Sequence, residues 1–409
     1  MKKIIGSFAQ IVTLRGLDLR GSIADDKLEI LRDCAILIED EKISALGKID
    51  ELQEKNPTAE VEFISPNSVL LPGFVDVHTH ICFAGSRALD YSLRSQGKSY
   101  LEIAQNGGGI WSTVEKTRAA TLETLADLTA SRAARHLREG VTTIEVKSGY
   151  GLNVEQELKM LRAIKIAKSR TRAELIPTCL AAHMKPKDFS GSNSDYLNYV
   201  ASELLPVVAS EQLATRVDIF IEQTAFSENE ARDYLQKVKD FGFEIAIHAD
   251  QFSKGGSKLA VEFSAVSADH LEVSSDAEIQ ALAKSNTVAV ALPNSSYGLG
   301  IYEMTPARKL LNAGAILAIA SDWNPGSAPM GDLLCGAALF GMREKLSTAE
   351  IFSALTFRAA KALNLNDRGC IEKNMLADFQ AFPTNDFREI LYHQGKMKPF
   401  AVFKKGVKI

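Results

Sequence analysis

Two histidines one residue apart, His78 and His80, end an apolar run that begins at Val69. In a β-strand, residues i and i+2 project to the same side, so both imidazoles can aim at one point from one strand end. Imidazole is a ligand for Zn²⁺ and Fe²⁺. An H-x-H pair alone says little, because two surface histidines look the same in a sequence. The rest of the chain strengthens it. Five of the seven histidines (His78, His80, His183, His248 and His270) fall where an apolar stretch ends, as do Glu145, Glu222, Asp250, Asp269 and Asp322. His136, in a helical stretch, and His393, in the tail, read as structural or exposed. His78, His80 and His248 with Asp322 would hold one divalent or trivalent metal ion, zinc or iron, and leave a position for water. The ion would lower the pKa of that water toward neutrality. Asp322 would take its proton as general base, and His270 would orient or share that proton and polarise a carbonyl.

The elements that must position these groups alternate in type. Strand candidates are Val69–Val77, Val141–Val146, Leu175–Leu180, Val217–Ile221, Ile245–Ile247, Ala265–Ala268, Val288–Leu292 and Ile316–Ala320. Amphipathic stretches lie between most of them, among them Leu122 to Leu137, Val154 to Ala167 and Glu228 to Phe241. Near-continuous apolar strands alternating with helices specify a parallel sheet covered by helices. Eight such units fit a (β/α)8 TIM barrel, in which chemistry collects at the C-terminal strand ends. No G-x-G-x-x-G opens a helix after the first strand, which argues against a doubly wound dinucleotide fold.

Both ends of the chain have β texture instead. Ile11–Leu14, Ala35–Ile38, Lys42–Leu46 and Val61–Ile64 read as strands, with Asp40-Glu41 as a tight hairpin. Asp378–Phe382, Pro399–Phe403 and Gly406–Ile409 read the same way, after a long helix from Thr348 to Leu363. The economical arrangement is a small β-sandwich domain built from residues 1–68 and 371–409, with the barrel, residues 69–370, inserted between. Pro72-Gly73 marks the crossing.

Composition bounds the partners. With 46% hydrophobic and 24% charged residues and a net charge of -4, neither sign dominates, and neither nucleic acid nor a membrane surface is expected as a partner. The start Met1-Lys2-Lys3 looks like a signal n-region, but Arg15, Asp18 and Arg20 come before an apolar core forms. Five scattered cysteines without C-x-x-C spacing favour a reducing compartment, and the cytoplasm is the expectation. A small-molecule substrate fits this balance; a homodimer is a common arrangement, and the sequence leaves the oligomeric state open.

These residues resemble the amidohydrolase superfamily. The first strand with His78-Thr79-His80, histidines on strands five and six, and Asp322 on strand eight carry that likeness. Within it the chain is most similar to the imidazolonepropionase family. That likeness rests on Phe83 to Arg87, Gly107 to Ile110, Glu145 to Leu152, Ala182-His183, His248 to Gln251, Ser267 to His270, and Asp322 to Ser327. The resemblance implies hydrolysis of the cyclic amide of 4-imidazolone-5-propanoate to N-formimidoyl-L-glutamate, in histidine degradation. It implies zinc or iron on His78, His80, His248 and Asp322. It implies substrate contacts from Arg87, Tyr150, His183, Gln251 and Ser327, and contacts to the product-like chain from Asn324 and Gly326. Arg87 offers a planar fork suited to a propanoate. Gly107-Gly108-Gly109 reads as a flexible loop over the site.

Two departures bear on this reading. Some members carry glutamate where this chain has Gln251, and an amide cannot act as a base. Ring deaminases of the guanine or cytosine type, the alternative activity, use H-x-x-E on strand five; here the spacing gives His248-x-x-Gln251. Two-metal relatives place a carboxylated lysine on strand four, where this chain has Glu222-Gln223, so one metal is favoured.

Overall fold

A computed structural model of the chain describes residues 2–98, 102–103 and 107–409. Lys2–Val12 (β1), Ile30–Glu39 (β2), Lys42–Gly47 (β3), Glu60–Phe63 (β4) and Val69–Pro72 (β5) come first. Phe74–Asp76 (β6), Val141–Lys147 (β7), Glu174–Ala182 (β8), Arg216–Phe220 (β9), Glu244–Ala249 (β10), Ser267–His270 (β11), Val288–Ala291 (β12) and Leu317–Ile319 (β13) follow. Phe379–Phe382 (β14), Ala401–Lys404 (β15) and Val407–Lys408 (β16) close the chain.

The terminal strands form one continuous sheet in the order β16-β15-β14-β5-β1-β2-β3, with β4 also paired to β1. Both chain ends are therefore hydrogen-bonded into the same unit. The period-2 alternation of a strand gives the sheet two apolar faces. Ile5, Ile36 and Ile38 cluster with Phe379 and Phe403 on one face, while Ile4, Ala35 and Leu37 meet Leu52 of the helix Ile49–Lys55 on the other. Asp40 and Glu41 both take positive φ (48° and 69°), the geometry that a two-residue hairpin with the native twist demands.

The strands β6 to β13 pair in parallel and in chain order. All seven residues of β7 are buried, as a strand covered on both faces requires. The helix Leu122–Arg138 starts where Thr121 accepts the Thr124 N–H, and it buries Leu125, Ala126, Ala133 and Leu137 on one stripe. The ring closes just beyond the strand ends. Thr79 and Trp323 form a parallel bridge, and the His80 N–H donates to the Trp323 carbonyl at 2.9 Å. That closure brings the segment after β13 beside the two histidines that follow β6.

Several elements differ from the sequence expectation, each for a local reason. The run Val69–Val77 is two strands in two sheets. Leu71 pairs with Gln380 in the terminal sheet, and Phe74 pairs with Val141 in the barrel. Gly73 makes the transfer; a Cβ there would lie 2.5 Å from the Thr142 side chain. The helix expected from Thr348 to Leu363 breaks into Thr348–Leu355 and Phe357–Ala362. At the break, the Thr356 hydroxyl donates to the Phe352 carbonyl at 2.6 Å, a side-chain bond that competes with helix continuation. The sixth barrel strand starts at Ser267, two residues later than the apolar run suggested, because its buried face extends through Asp269 and His270. No helix among the described residues is long and apolar enough to cross a membrane.

Candidate metal centre and active-site cleft

The chain continues past β6 in extended form, gripped from both sides. The Lys147 N–H donates to the Thr79 carbonyl at 2.9 Å, and Trp323 takes the His80 N–H. Thr79 turns away from its neighbours: its N–H donates to Glu145 Oε2 at 3.2 Å and its hydroxyl to the Glu145 carbonyl at 2.6 Å. His78 and His80 therefore share the opposite side. Their Nε2 atoms are 3.2 Å apart, and the His248 Nε2, from the end of β10, lies 3.4 Å from that of His80.

The partners of two of these rings fix their tautomers. The His78 Nδ1 lies 2.6 Å from Asp269 Oδ2, and the His248 Nδ1 lies 3.0 Å from Asp218 Oδ2. Each carboxylate takes the Nδ1 proton, which leaves both Nε2 atoms as lone pairs aimed into the same small space. Burial, with Lys147 and the neighbouring imidazoles, pushes the pKa of His78 well down; burial, with His248 and His183, does the same to His80. Burial takes His248 down to about 3, against the pull of Asp218. Neutral acceptors facing one another at 3.2–3.4 Å fit a cation between them, since zinc–nitrogen bonds of about 2.0–2.1 Å in tetrahedral geometry give that spacing. The Asp322 Oδ1 adds a fourth donor at 3.6 Å from the His78 Nε2 and 3.5 Å from that of His80. Asp322 sits at φ 48°, a left-handed conformation that turns its carboxylate off the strand end. Burial raises its pKa to about 6, although the adjacent His270 opposes the shift.

Beneath the imidazoles lies a charged layer whose members Glu145, Lys147 and Asp269 stand at strand ends in the sequence, but whose Asp218 was not singled out there. Lys147 is buried, with its ammonium 2.7 Å from Asp218, 2.8 Å from Glu145 and 3.8 Å from Asp269. Burial opposes its charge, but these three carboxylates outweigh that and raise its pKa. Asp218 feels burial too, yet His248 and Lys147 hold it far below the usual carboxylate range. The signal was present as Val217-Asp218-Ile219, a lone carboxylate inside an apolar strand. His270 has a partner of the same kind. Its Nδ1 lies 3.3 Å from Glu272, which with Asp322 outweighs burial and raises its pKa above the ordinary imidazole value.

A cavity of about 550 Å³ opens above this centre. Its lining includes His80, His248, His270 and Asp322, together with Arg87, Tyr150, His183, Gln251, Asn324, Gly326 and Ser327. Every residue expected to touch substrate thus faces one space. Arg87 is held from behind: Asp90, itself buried, lies 2.7 Å from both its Nε and its Nη2. The Nη1 edge points at Gly326, where a Cβ would sit only 2.5 Å away; glycine is what lets the guanidinium lie there. Tyr150 is fixed by Glu157, whose carboxylate accepts the N–H groups of Gly149, Gly151 and Leu152 at 2.7–3.0 Å. His183 stacks on His80 at 5.5 Å, with its Nδ1 on the Gly149 carbonyl at 2.9 Å.

Other strand-end groups serve the loops. Glu222 accepts the N–H groups of Phe252 and Ser253 at 2.9 and 3.0 Å, which shapes the turn carrying Gln251. Asp250 accepts from the Gly255 and Ser257 N–H groups at 3.0 and 3.2 Å. Asn324 was expected against the product-like chain, but its amide is occupied. Its oxygen takes the Gly326 and Ser327 N–H groups at 2.7 and 2.8 Å, and its nitrogen donates to the Asp322 carbonyl and the Ser327 hydroxyl at 2.7 and 2.8 Å. An amide has four such positions, and all four are filled. The Gly107–Gly109 stretch is likewise no free loop: Gly109 opens the helix Gly109–Ala119, and its N–H donates to Asp90 at 2.9 Å. His136 is buried, with its Nε2 2.7 Å from Asp76, while His393 is part-exposed beside Glu389.

Comparison with known proteins agrees with this geometry. The Amidohydrolase family model matches residues 69–409. The chain is 39% identical over 415 residues to the imidazolonepropionase of Bdellovibrio bacteriovorus, covering 99% of this chain and 96% of that protein. It is 42% identical over 336 residues to the imidazolonepropionase of Myxococcus xanthus, covering 82% of this chain and 80% of that one. Among solved structures, a zinc-bound adenosine deaminase from Xanthomonas campestris matches with a TM-score of 0.71 at 18% identity, over 99% of this chain and 92% of that one. That likeness concerns the fold alone.

Proposed function

Because the chain belongs to the amidohydrolase family and, within it, to the imidazolonepropionases, we propose how its own residues open the ring of 4-imidazolone-5-propanoate. It is a metal-dependent hydrolase of histidine degradation. The reaction breaks the ring C–N bond of a cyclic amide; water adds its oxygen to the carbonyl carbon and its protons end on the new carboxyl and the freed nitrogen. His78, His80 and His248, with Asp322 beside them, would hold the ion, and this donor set suits zinc or iron. A bound ion would supply a Lewis acid and acidify water.

The remaining work falls to this chain's residues. Asp322, buried beside the ligand imidazoles and His270, takes a proton from the attacking water and passes one to the departing ring nitrogen. His270, oriented by Glu272 at 3.3 Å, stabilises the oxygen of the carbonyl under attack. Arg87 presents its free edge to the propanoate, and Tyr150, His183 and Gln251 line the ring's position. Gly326 keeps the approach to Arg87 open, and Ser327 offers its hydroxyl beside it. Asn324 shapes that loop.

The observation that carries this reading is a single cavity with a metal-ligand floor at one part and the clamped cation Arg87 at another, which suits a ring amide that bears a carboxylate. Gln251 supports ring opening over deamination, because an amide there cannot shuttle protons to leaving ammonia. The test is turnover of 4-imidazolone-5-propanoate by wild type and Asp322→Ala. Wild type loaded with metal should open the ring, and the variant should lose at least about 100-fold in kcat, the range that removing a general base gives. Full activity in the variant would overturn the role of Asp322. A metal-loaded wild type that leaves this substrate intact would overturn the substrate.

A further inference from the structure

We propose that Lys147 is a positioning residue for the metal centre: it holds Asp218 and Asp269 in the orientation in which they fix the His248 and His78 imidazoles. The inference rests on the metal-centre reading above and deepens it.

Three observations converge on this one ammonium. Its Nζ lies 2.7 Å from Asp218, and that carboxylate takes the His248 Nδ1 at 3.0 Å. It lies 3.8 Å from Asp269 Oδ2, the same oxygen that takes the His78 Nδ1 at 2.6 Å. It lies 2.8 Å from Glu145, whose other oxygen takes the N–H of Thr79, the residue between the two ligands His78 and His80. One buried side chain on β7 thus ties together groups on β9 and β11 and the segment after β6. The carboxylate partners of metal-bound histidines set ring orientation and tautomer, so whatever fixes the carboxylates fixes the ligands. All four charged groups are buried, with no more than 2% of any side chain exposed, so water cannot take over the task.

A second role would explain the same residue: Lys147 could simply offset negative charge. The two roles predict opposite signs. Simple Coulomb attraction says that removing a cation near the site tightens metal binding. Loss of positioning says that binding weakens, by about 10–100-fold on the scale known for outer partners of metal ligands. The pair variant Lys147→Met with Glu145→Gln separates them further. The pair variant exchanges one formal cation and one formal anion for neutral side chains, so the formal net charge of the cluster is that of wild type. The number of buried charges falls from four to two with net charge kept, so weaker metal binding in the pair variant reports lost positioning by Lys147 and Glu145 together and not a change in charge.

The experiment measures the zinc dissociation constant of the full chain by competition with a chromophoric chelator, alongside the visible spectrum of the cobalt-loaded protein. Thermal unfolding of the metal-free forms records purely structural damage. Wild type, Lys147→Met and the pair variant are compared. Both variants should bind zinc about 10–100-fold more weakly and shift the cobalt bands, which report ligand geometry. Should Lys147→Met fail to fold, the pair variant carries the test. Zinc affinity equal to or tighter than wild type, with an unchanged cobalt spectrum, would overturn the positioning role. A wild type that takes up no stoichiometric metal would instead overturn the metal centre itself.

Discussion

Asp90 decides what Arg87 can do. A free arginine just before the short helix Ala88–Ser95 would sample many rotamers, and ordering it on a substrate would cost about 1.5–2 kcal/mol. Asp90 has already fixed it through Nε and Nη2, both at 2.7 Å, while taking the Gly109 N–H at 2.9 Å. The guanidinium is therefore preorganised for the carboxylate proposed to bind it. Truncating Asp90 to alanine should raise KM for 4-imidazolone-5-propanoate by about 10–100-fold, since a hydrogen bond to a charged group is worth about 1.5–3 kcal/mol. The value of kcat should change much less, because the reacting atoms are elsewhere. An analogue whose propanoate is replaced by the neutral amide should show no such rise in KM. Steady-state kinetics on both compounds checks this; a fall in kcat at constant KM would show that Arg87 serves the chemistry instead of the carboxylate.

At the scale of elements, the loop after β7 shows how a helix start can govern a binding residue. Glu157 lies in the first turn of the helix Val154–Arg170, where a carboxylate suits the helix dipole. It accepts three backbone N–H groups from the loop holding Tyr150, within which Gly149 and Leu152 both take positive φ. Glu157→Gln turns one of two acceptor oxygens into a donor that faces backbone N–H groups. The expected cost is about 1–3 kcal/mol in stability, read as a lower denaturation midpoint, with KM raised as Tyr150 loses its seat. A midpoint equal to wild type would mean that the loop holds itself. The same loop marks what the sequence can disclose. Strand order and the helix stripes were legible, because burial on a known period leaves a repeating apolar pattern, as in β7 and the helix Leu122–Arg138. His78, His80, His248 and Asp322 were legible because strand ends are countable. Glu157 and Glu272 were not, because their task is defined by partners elsewhere in the fold, and a buried carboxylate reads like a surface one; Asp218 interrupts an apolar strand, but its partners cannot be read from that. Glu222 and Asp250 were noticed at strand ends, yet they cap loop N–H groups. The break at Thr356 was hidden for a related reason: one hydroxyl bond interrupts an otherwise helical pattern.

Across the whole molecule, the barrel and the terminal sheet are joined by charge at the face away from the cavity as well as by the apolar crossing at Gly73. Glu174, at the start of β8, lies 2.7 Å from Arg368 and 3.1 Å from Lys404 of β15. Lys404 also lies 2.6 Å from Asp378, and Arg368 donates to the Thr143 hydroxyl at 2.9 Å. Burial alone would raise the Glu174 pKa, but Arg368 and Lys404 outweigh it and bring it down to about 2. A carboxyl depressed in the folded state stabilises that state above its unfolded value, near 4.5, and loses this contribution as pH falls toward about 2. Glu174→Gln removes the ionisation, so the variant should be less stable than wild type by about 1–3 kcal/mol at pH 7, the range for losing hydrogen bonds to charged groups. The gap should close as both proteins are acidified through that window. Thermal midpoints of wild type and variant, followed from neutral pH downward with both proteins metal-free, measure it. Removing the metal matters, because protonation of the ligand imidazoles would otherwise destabilise both proteins over an overlapping range. A gap that stays constant down to the lowest pH would place the contribution in the shape of the Glu174 side chain and not in its charge, and the electrostatic account of this joint would fall.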